Sequence, residues 1–450
     1  MKAAPRIAAL VVLLLAACAR PAAAEDLLQV FRDAQRYDAT FSAARSSLAA
    51  GRERLPQGRA LLLPTLNLSA QAARNRFDVE SRDPLLVPSF IRSPDSSSYT
   101  LTLTQPIFRA QNLLQYEQSE YQVRQAEATF GQATQDLIVR VAQAYFDVLG
   151  QYDTLVLVRA QKAATSEQLA QAKRNFEVGT ATITDTHEAQ ARYDLISAQE
   201  IAALNDLQAR RRQLQLITGK EYTELKQLRG DVKLAPPNPD NPDTWAELAE
   251  KQSYTVLIQD AVAQVAALEA KRASAGHLPT LDFVATYGQS AENSSITSSI
   301  GRDINSSSVG VQLQLPIFQG GSVSSREREA AAQYQKARDD LDNAKRTAVL
   351  TARQLYLSTL NGITQVSALE QAKVSSQSAL DSNKLGYEVG IRINIDVLNA
   401  QQQLYSTERD LALARYNTIL NNLKLKQAAG TLREEDLEEV NRVLTVTAGR

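Results

Sequence analysis

The sequence predicts a mainly α-helical protein with a small β part, built as a duplicated half-molecule. Leu63-Pro64-Thr65-Leu66 returns as Leu278-Pro279-Thr280-Leu281, and Tyr145 recurs as Tyr356 at the 211-residue offset shared by the later matches. Each half contains two segments with the two-residue period of β-strands, then a long proline-free run rich in helix-forming residues. A repeat this long indicates a duplicated half-molecule rather than a short solenoid unit.

Residues 1–24 have the features of an export signal. A basic start precedes the apolar run Ile7–Leu15 and the small residues Ala22-Ala23-Ala24. Leu15-Ala16-Ala17-Cys18 also resembles a bacterial lipobox, which leaves lipidation of Cys18 as the alternative to cleavage after Ala24. Cleavage is the preferred prediction, because a helical pattern begins almost at once at Glu25.

The charge of the chain is nearly balanced, with 49 Lys and Arg against 50 Asp and Glu. The chain therefore lacks the net positive charge that would indicate binding to nucleic acid or to an anionic membrane surface. Beyond the signal, the sequence contains no run of 18 or more apolar residues, so no transmembrane helix is predicted. If the protein spans a membrane, we expect it to do so with strands.

Four segments predict strands, each with one apolar and one polar face, such as Leu66, Leu68 and Ala70 opposite Asn67 and Ser69. Ser-rich loops, 78–98 and 288–308, are expected between strand partners. Alternation alone would suit the edge of a soluble sandwich, but the export signal and the absence of other β segments favour an outer-membrane barrel. Four strands cannot close a barrel, and open edges are forbidden in lipid, so the chain must oligomerise. The predicted strands lie at about 64–77, 97–108, 279–290 and 307–318.

Each pair of strands is flanked by predicted helices. Some apolar spacings resemble interrupted heptads, which predicts side-by-side packing around a lumen. They are Tyr193, Ile196, Ala203, Leu207, Leu214 and Ile217, and Leu404 with Leu411. Pro56 should kink the first helix. The segments are 26–62, 109–176 and 185–218 in repeat one (25–219), and 244–275, 322–385 and 396–429 in repeat two (244–430), with 220–243 and 431–450 expected at mid-height.

Several motifs carry a resemblance to a known family. They are Gly386-Tyr387-Glu388-Val389-Gly390, Ile395-Asp396-Val397-Leu398, Ala144-Tyr145-Phe146 and Ile183-Thr184-Asp185. Over essentially the whole mature sequence the chain resembles the TolC family of outer-membrane channel proteins, and it is close to the founding member. The resemblance implies a homotrimer in which long coiled-coil helices form a twelve-helix α-barrel across the periplasm. Four strands per chain would contribute to a twelve-stranded β-barrel in outer-membrane lipid.

The resemblance also implies a function without catalysis or cofactor. The family provides the exit duct for efflux pumps and type I protein secretion in Gram-negative bacteria. A periplasmic adaptor recruits the duct to an inner-membrane pump of the RND, ABC or MFS type. The matching residues of the periplasmic gate are Thr184, Asp185, Tyr387 and Arg392.

Two departures from the family pattern fall near the gate. Gln168 matches a family glutamine, but its glutamate partner is replaced by Lys384, so that link is expected to be absent or rearranged. The entrance constriction, a cation-attracting pair of aspartate rings in the family, maps to Asp396 and Asn399, and the asparagine removes one ring. Weaker block by trivalent cations is expected, strengthened by Asn399→Asp.

Less specific interpretations of these residues stay open at this point. Asp185 and Asp396 each follow a glycine-containing turn, so both suit helix N-caps. His187 and His277 have no partner at metal-ligand spacing, so no metal site is expected. The competing class of protein is an exported periplasmic coiled-coil scaffold or adaptor that is not itself a channel.

Overall fold

The computed structural model describes residues 25–83, 85, 88–230, 232, 234–296 and 298–445. The predicted export signal, including Cys18, lies outside these residues, as does the end of the chain after residue 445. The chain folds into two units. As far as they are described, one contains residues 25–47, 129–257 and 344–445, and the other 48–128 and 258–343.

Helices form most of the unit that begins at residue 25, and helices and strands together form most of the other. In chain order they are α1 (Leu27–Tyr37), α2 (Ala39–Arg52), α3 (Arg54–Ala60), α4 (Ala110–Glu177), α5 (Ile183–Thr218), α6 (Pro242–Gln252), α7 (Tyr254–Ser274), α8 (Ser322–Glu388), α9 (Asn394–Ala428) and α10 (Glu434–Arg442). The strands are β1 (Thr65–Arg74), β2 (Phe77–Val79), β3 (Phe90–Arg92), β4 (Asp95–Phe108), β5 (Gln227–Leu228), β6 (Thr280–Glu292), β7 (Arg302–Gln314) and β8 (Leu444–Thr445).

The two long helices confirm the prediction made from the proline-free runs. Helix α4 has 68 residues and α8 has 67, and both begin and end within three residues of the predicted bounds. Without proline no backbone N–H is lost, so the ladder of hydrogen bonds continues uninterrupted. In the described part of the chain, no helix is long and apolar enough to cross a membrane.

The helices that precede the sheet are more divided than the sequence predicts. The segment predicted as one helix from 26 to 62 contains three, separated at Asp38 and Glu53. The second break lies three residues before Pro56, which has no N–H for the carbonyl of Arg52, so the expected kink is present. The first break was not predicted. Asp38 Oδ1 accepts the backbone N–H of Phe41 at 2.6 Å, which stabilises the start of α2 rather than a continuous helix.

Repeat two contains a corresponding break. The helix predicted from 244 to 275 begins instead at Pro242 and stops at Ser253, after which α7 continues to Ser274. Asn241 caps α6 by accepting the N–H of Asp243 at 2.8 Å, and proline suits the first helical position. The prediction missed this start because it assigned Pro242 to the proline-rich segment 236–242 rather than to the first turn of the helix.

The four predicted strands form one antiparallel sheet in the order β1-β4-β6-β7. Leu66 pairs with Leu103, and Leu101 with Tyr287, so the repeats join through β4 and β6. Strands β1 and β7 are the edges of the sheet, and each has one neighbour among the described strands. Apolar side chains on both edges are exposed, among them Leu68 at 69% and Val309 at 74%.

The loops predicted between strand partners are shorter than expected. In the first, β2 and β3 form a small separate hairpin; in the second, β6 extends to Glu292 and β7 begins at Arg302. Ser-rich sequence misled the prediction, because backbone pairing such as Ser307 with Tyr287 continues through polar residues. The last strand stops at Gln314 rather than near 318, since Pro316 has no N–H to donate to a ladder.

The largest core cluster lies in the unit that contains most of α4. Tyr145 and Phe146 are almost fully buried there, with Phe31 and Leu214 among their cluster partners. Tyr145 Oη donates to the carbonyl of Lys226 at 2.7 Å, and burial raises the pKa of this phenol. The buried hydroxyl thus attaches the 220–243 segment to α4.

Burial confirms six of the eight residues chosen from the heptad spacing. Ile196, Ala203, Leu207, Leu214, Leu404 and Leu411 are buried, whereas Tyr193 and Ile217 are half-buried. The two segments outside the repeats also meet, because β5 pairs with β8 and Arg229 Nη2 donates to the carbonyl of Arg442 at 2.7 Å. Their predicted height in the assembly stays a prediction.

Candidate functional site at two turns between long helices

Two similar turns carry the candidate residues. The first joins α4 to α5, and Gly179 adopts a positive φ of 78° there; the second joins α8 to α9, with Gly390 at 80°. Such angles favour glycine because other residues lose stability in this region. In the first turn the backbone N–H of Thr180 donates a hydrogen bond to the carbonyl of Asn175 at 2.8 Å. In the second turn the N–H of Ile391 donates to the carbonyl of Gly386 at 2.8 Å. The repeated Glu-Val-Gly motif therefore encodes one turn geometry twice.

The first turn is followed by a well-capped helix. Thr182 is the N-cap of α5, and its hydroxyl accepts the N–H of Asp185 while the Asp185 carboxylate accepts the N–H of Thr182 at 3.0 Å. This reciprocal arrangement is a capping box. The prediction that Asp185 is itself the N-cap is wrong by three residues, because Thr182 already satisfies that role.

The second turn has no equivalent cap. Ile393 occupies the N-cap position of α9 without a side-chain acceptor, and Asp396 lies in the first helical turn. Arg392 Nη1 lies 3.6 Å from Asp396 Oδ2, and both groups are substantially exposed. Asp396 is therefore not an N-cap either. Its carboxylate stabilises the helix N-terminus through the dipole and forms a weak ion pair.

Three hydrogen bonds join the two turns within one chain. Asn175 Nδ2 donates to Tyr387 Oη at 3.1 Å, and Asn394 Nδ2 donates to the carbonyl of Asp185 at 3.4 Å. The shortest is between two buried amides, Gln168 Nε2 to Asn394 Oδ1 at 2.6 Å. Asn394 is completely inaccessible to solvent and Gln168 is 9% exposed. The link expected to be absent or rearranged at Gln168 is thus rearranged, with Asn394 in the place of Lys384.

The structure brings the four gate candidates to adjacent turns but does not bond them as predicted within the chain. Among the described residues, no hydrogen bond or ion pair joins Tyr387 or Arg392 to Thr184 or Asp185. One Asp185 oxygen, Oδ2, is occupied by the Thr182 backbone and hydroxyl. Thr184 is exposed at the same helix start.

Asn399 lies one helical turn after Asp396 and receives an unexpected partner. Arg192, on α5, donates from Nη2 to Asn399 Oδ1 at 3.0 Å and from Nη1 to Gln402. The sequence did not signal this contact, since nothing in the spacing of Arg192 distinguishes it from a solvated charge. Asn394 carried a weak signal, because repeat one has Ile183 at the equivalent position.

The described residues contain no group of three or more potential metal ligands. His277 lies 3.9 Å from Glu327, and both side chains are about half exposed. The arrangement at the turns offers hydrogen bonds and charge but no nucleophile with an adjacent base. The hydrogen bonds and charges at the turns suit a contact surface or a constriction.

Comparison with known proteins agrees over both repeats. Residues 30–220 and 246–431 match the model of the outer membrane efflux protein family. The chain is 35% identical over 426 residues to the outer membrane protein TolC of Vibrio cholerae, covering 94% of each chain. It is 32% identical to the proteases secretion protein PrtF of Dickeya chrysanthemi, covering 97% of this chain and 94% of the relative.

Solved structures show the same fold at low identity. The outer membrane protein VceC of Vibrio cholerae superposes with a TM-score of 0.76 at 19% identity, covering 90% of this chain and 96% of that one. The Campylobacter jejuni CmeC outer membrane channel gives 0.77 at 16% identity, covering 94% and 90%. The fold class predicted from the duplicated halves is thereby confirmed.

Proposed function

The chain belongs to the outer membrane efflux protein family, and from this premise we propose that it is the outer-membrane exit duct of tripartite efflux pumps and type I secretion systems. Relatives named for protease secretion, PrtF and the alkaline protease secretion protein AprF of Pseudomonas aeruginosa, support the secretion role. The protein is an outer membrane protein of a family of transport proteins. A periplasmic adaptor and an inner-membrane pump are its partners, and the RND, ABC and MFS types are all compatible with the chain.

The observation that carries the proposal is the four-stranded sheet with two open edges. Strands β1 and β7 each present one side that pairs with no other strand in the part of the chain that the structure describes. Leu66, Val311 and Leu313 on these strands are more than 60% exposed. In lipid, unpaired backbone groups are costly and apolar side chains are favourable. Three copies joined from β7 to β1 would give twelve strands and no edge. We therefore propose a homotrimer in the outer membrane.

The domain organisation is part of the same proposal. Residues 1–24 are the export signal, and the unit from 25 to 450 consists of repeats 25–219 and 244–430 with mid-height segments 220–243 and 431–450. The backbone of Glu25 supports cleavage after Ala24. Its N–H donates to the carbonyl of Glu224 at 3.1 Å, and α1 begins two residues later with Asp26 as cap.

The gate at the two turns is proposed from available bonding groups. Tyr387 Oη accepts a hydrogen bond from Asn175 and retains its own proton to donate. Arg392 is 59% exposed and has a single ion pair at 3.6 Å. In a trimer, Thr184 and Asp185 of a neighbouring subunit are suitable acceptors for both. Contacts of this kind would keep the periplasmic end closed until an adaptor and pump displace them.

The proposal is tested by reconstituting the purified protein in a planar lipid bilayer. A channel gives discrete conductance steps, small while the turns are closed. The competing class, an exported coiled-coil scaffold or adaptor, gives none under the same conditions. Discrete steps from the parent support the duct, and their absence from correctly folded protein contradicts it.

A further inference from the structure

Arg192 places a positive charge next to Asn399, the residue at the second position of the predicted entrance constriction. Its guanidinium donates to Asn399 Oδ1 at 3.0 Å and to Gln402 Oε1. Both acceptors are neutral amides. Among the described residues, no carboxylate lies within ion-pair distance of Arg192. The charge of Arg192 is therefore held in a fixed place without being compensated there.

The side chains that line the cavity around Arg192 include no carboxylate. Arg192 lines a cavity of about 200 Å³ between α4, α5 and α9. The other cation in this lining, Arg409, pairs with Asp410 at 3.0 Å. Burial, together with the carboxylate of Glu408, raises the pKa of the lining residue Tyr405, so its phenol stays neutral. The unbalanced charge of the lining is that of Arg192.

The nearest acids on the same helix are engaged elsewhere or lie apart. Asp194 accepts a hydrogen bond from Gln190 at 2.9 Å. Glu188 precedes Arg192 by one helical turn, but these two side chains form no ion pair in the described part of the chain. On α9, Asp396 faces Arg392. Arg192 is thus held against Asn399, which follows Asp396 by three residues on α9.

We infer that Arg192 determines the ion selectivity of the constriction at Asp396 and Asn399, an inference that rests on the proposed channel function. Three subunits would place three guanidinium groups at the level of Asn399. A ring of positive charge raises the local concentration of anions and lowers that of cations. Solutes that carry carboxylate or phosphate groups are the class that this ring attracts.

The size of the effect follows from Coulomb's law. For three unit charges held about 10 Å from the axis, the local concentration of a monovalent ion changes about eightfold without screening. The Debye length in 0.1 M salt is also about 10 Å, which reduces the change to about twofold. Cations and anions shift in opposite directions, so their permeability ratio changes about fivefold at 0.1 M salt.

Reversal potentials in a salt gradient across a planar bilayer test the inference. Arg192→Gln should move the permeability ratio about fivefold toward cations, and Arg192→Lys should keep the parent value because the charge remains. Arg212→Gln is the matched control, since it removes one exposed arginine from the same helix about 30 Å away. An unchanged reversal potential in Arg192→Gln overturns the inference, as does a full shift in Arg192→Lys.

Block by a trivalent cation, hexaamminecobalt, gives an independent test at the neighbouring position. With Arg192 present, an aspartate at position 399 would pair with it, so Asn399→Asp should strengthen block by less than about threefold. In the Arg192→Gln background the same substitution should strengthen block at least tenfold. Equal strengthening in both backgrounds overturns the inference. Lack of any conductance in the parent would instead contradict the channel function itself.

Discussion

Replacing either member of the buried amide pair Gln168–Asn394 should loosen the junction between the two turns. The pair connects α4 to the first residue of α9 through a 2.6 Å hydrogen bond, and both side chains are buried. Gln168→Leu would leave Asn394 Oδ1 without a donor. Asn394→Leu would leave Gln168 Nε2 without an acceptor and would also remove the 3.4 Å bond to the carbonyl of Asp185.

The cost of each change follows from the burial. An unsatisfied buried polar group costs about 1–3 kcal/mol, whereas the net contribution of a hydrogen bond between neutral groups is about 0.5–1.5 kcal/mol. Each single variant should therefore lose about 1–3 kcal/mol of local stability, with Asn394→Leu at the upper end. The double variant leaves neither group unpaired, so it should lose less than the sum of the singles. We expect a coupling energy of about 1–3 kcal/mol.

Native-state hydrogen exchange of the amides in 183–190 and 394–400 measures this local stability. A loss of 1–3 kcal/mol corresponds to about 5- to 150-fold faster exchange of the amides that exchange through this local opening, provided that reclosing is faster than chemical exchange. Gln171→Leu, a partly exposed glutamine on the same helix, is the matched control and should change exchange little. Single variants that behave like this control, or a double variant equal to the sum of the singles, would refute the reasoning.

Three further predictions concern the turns and the stability of the core unit. Tyr387→Phe with Arg392→Ser should raise single-channel conductance and antibiotic entry into cells; unchanged conductance would remove both from the gate. Asp396→Ala should abolish block by trivalent cations, and equally tight block would reduce Asp396 to a helix-stabilising residue. Burial opposes ionisation of Asp38, but the hydrogen bonds that its carboxylate accepts outweigh this effect and hold the pKa of Asp38 below its ordinary value. Arg140 donates two of these bonds, both at 3.1 Å. Its contribution is therefore present above about pH 4 and lost as pH falls through the folded-state pKa. Asp38→Asn should cost about 1–2 kcal/mol at pH 7 in hydrogen exchange of α2. The cost should shrink below pH 4, and a pH-independent cost would contradict this account.

The long helices, the strands and both turns could be predicted because each depends on local sequence. A proline-free run, a two-residue period or a glycine in a turn affects the backbone only within a few residues of its own position. The bounds of α4 and α8 accordingly agree with the prediction, and a glycine-containing turn follows each of these helices. Heptad positions such as Leu207 were also predictable, because burial follows the helical period.

The breaks and the side-chain partners could not be predicted in the same way. At Asp38, local helix propensity competes with a cap and with Arg140, which lies about one hundred residues further along the chain. The contacts of Asn394 with Gln168 and of Asn399 with Arg192 join residues more than 200 positions apart. A single sequence contains no record of which distant polar groups meet. For Asn399, the loss of a carboxylate was visible but the neighbouring positive charge was not.

The central claim is that three chains close one barrel by joining β7 of one subunit to β1 of the next, and disulfide crosslinking tests it most directly. A cysteine at Ser69 on β1 would be combined in turn with one at each position from Ser306 to Gly310 on β7, scanning the register. The account predicts that at least one pair yields, after oxidation in the membrane, a ladder on denaturing gels that ends at three chains. Monomer alone at every pair, or a ladder continuing beyond three, would contradict it.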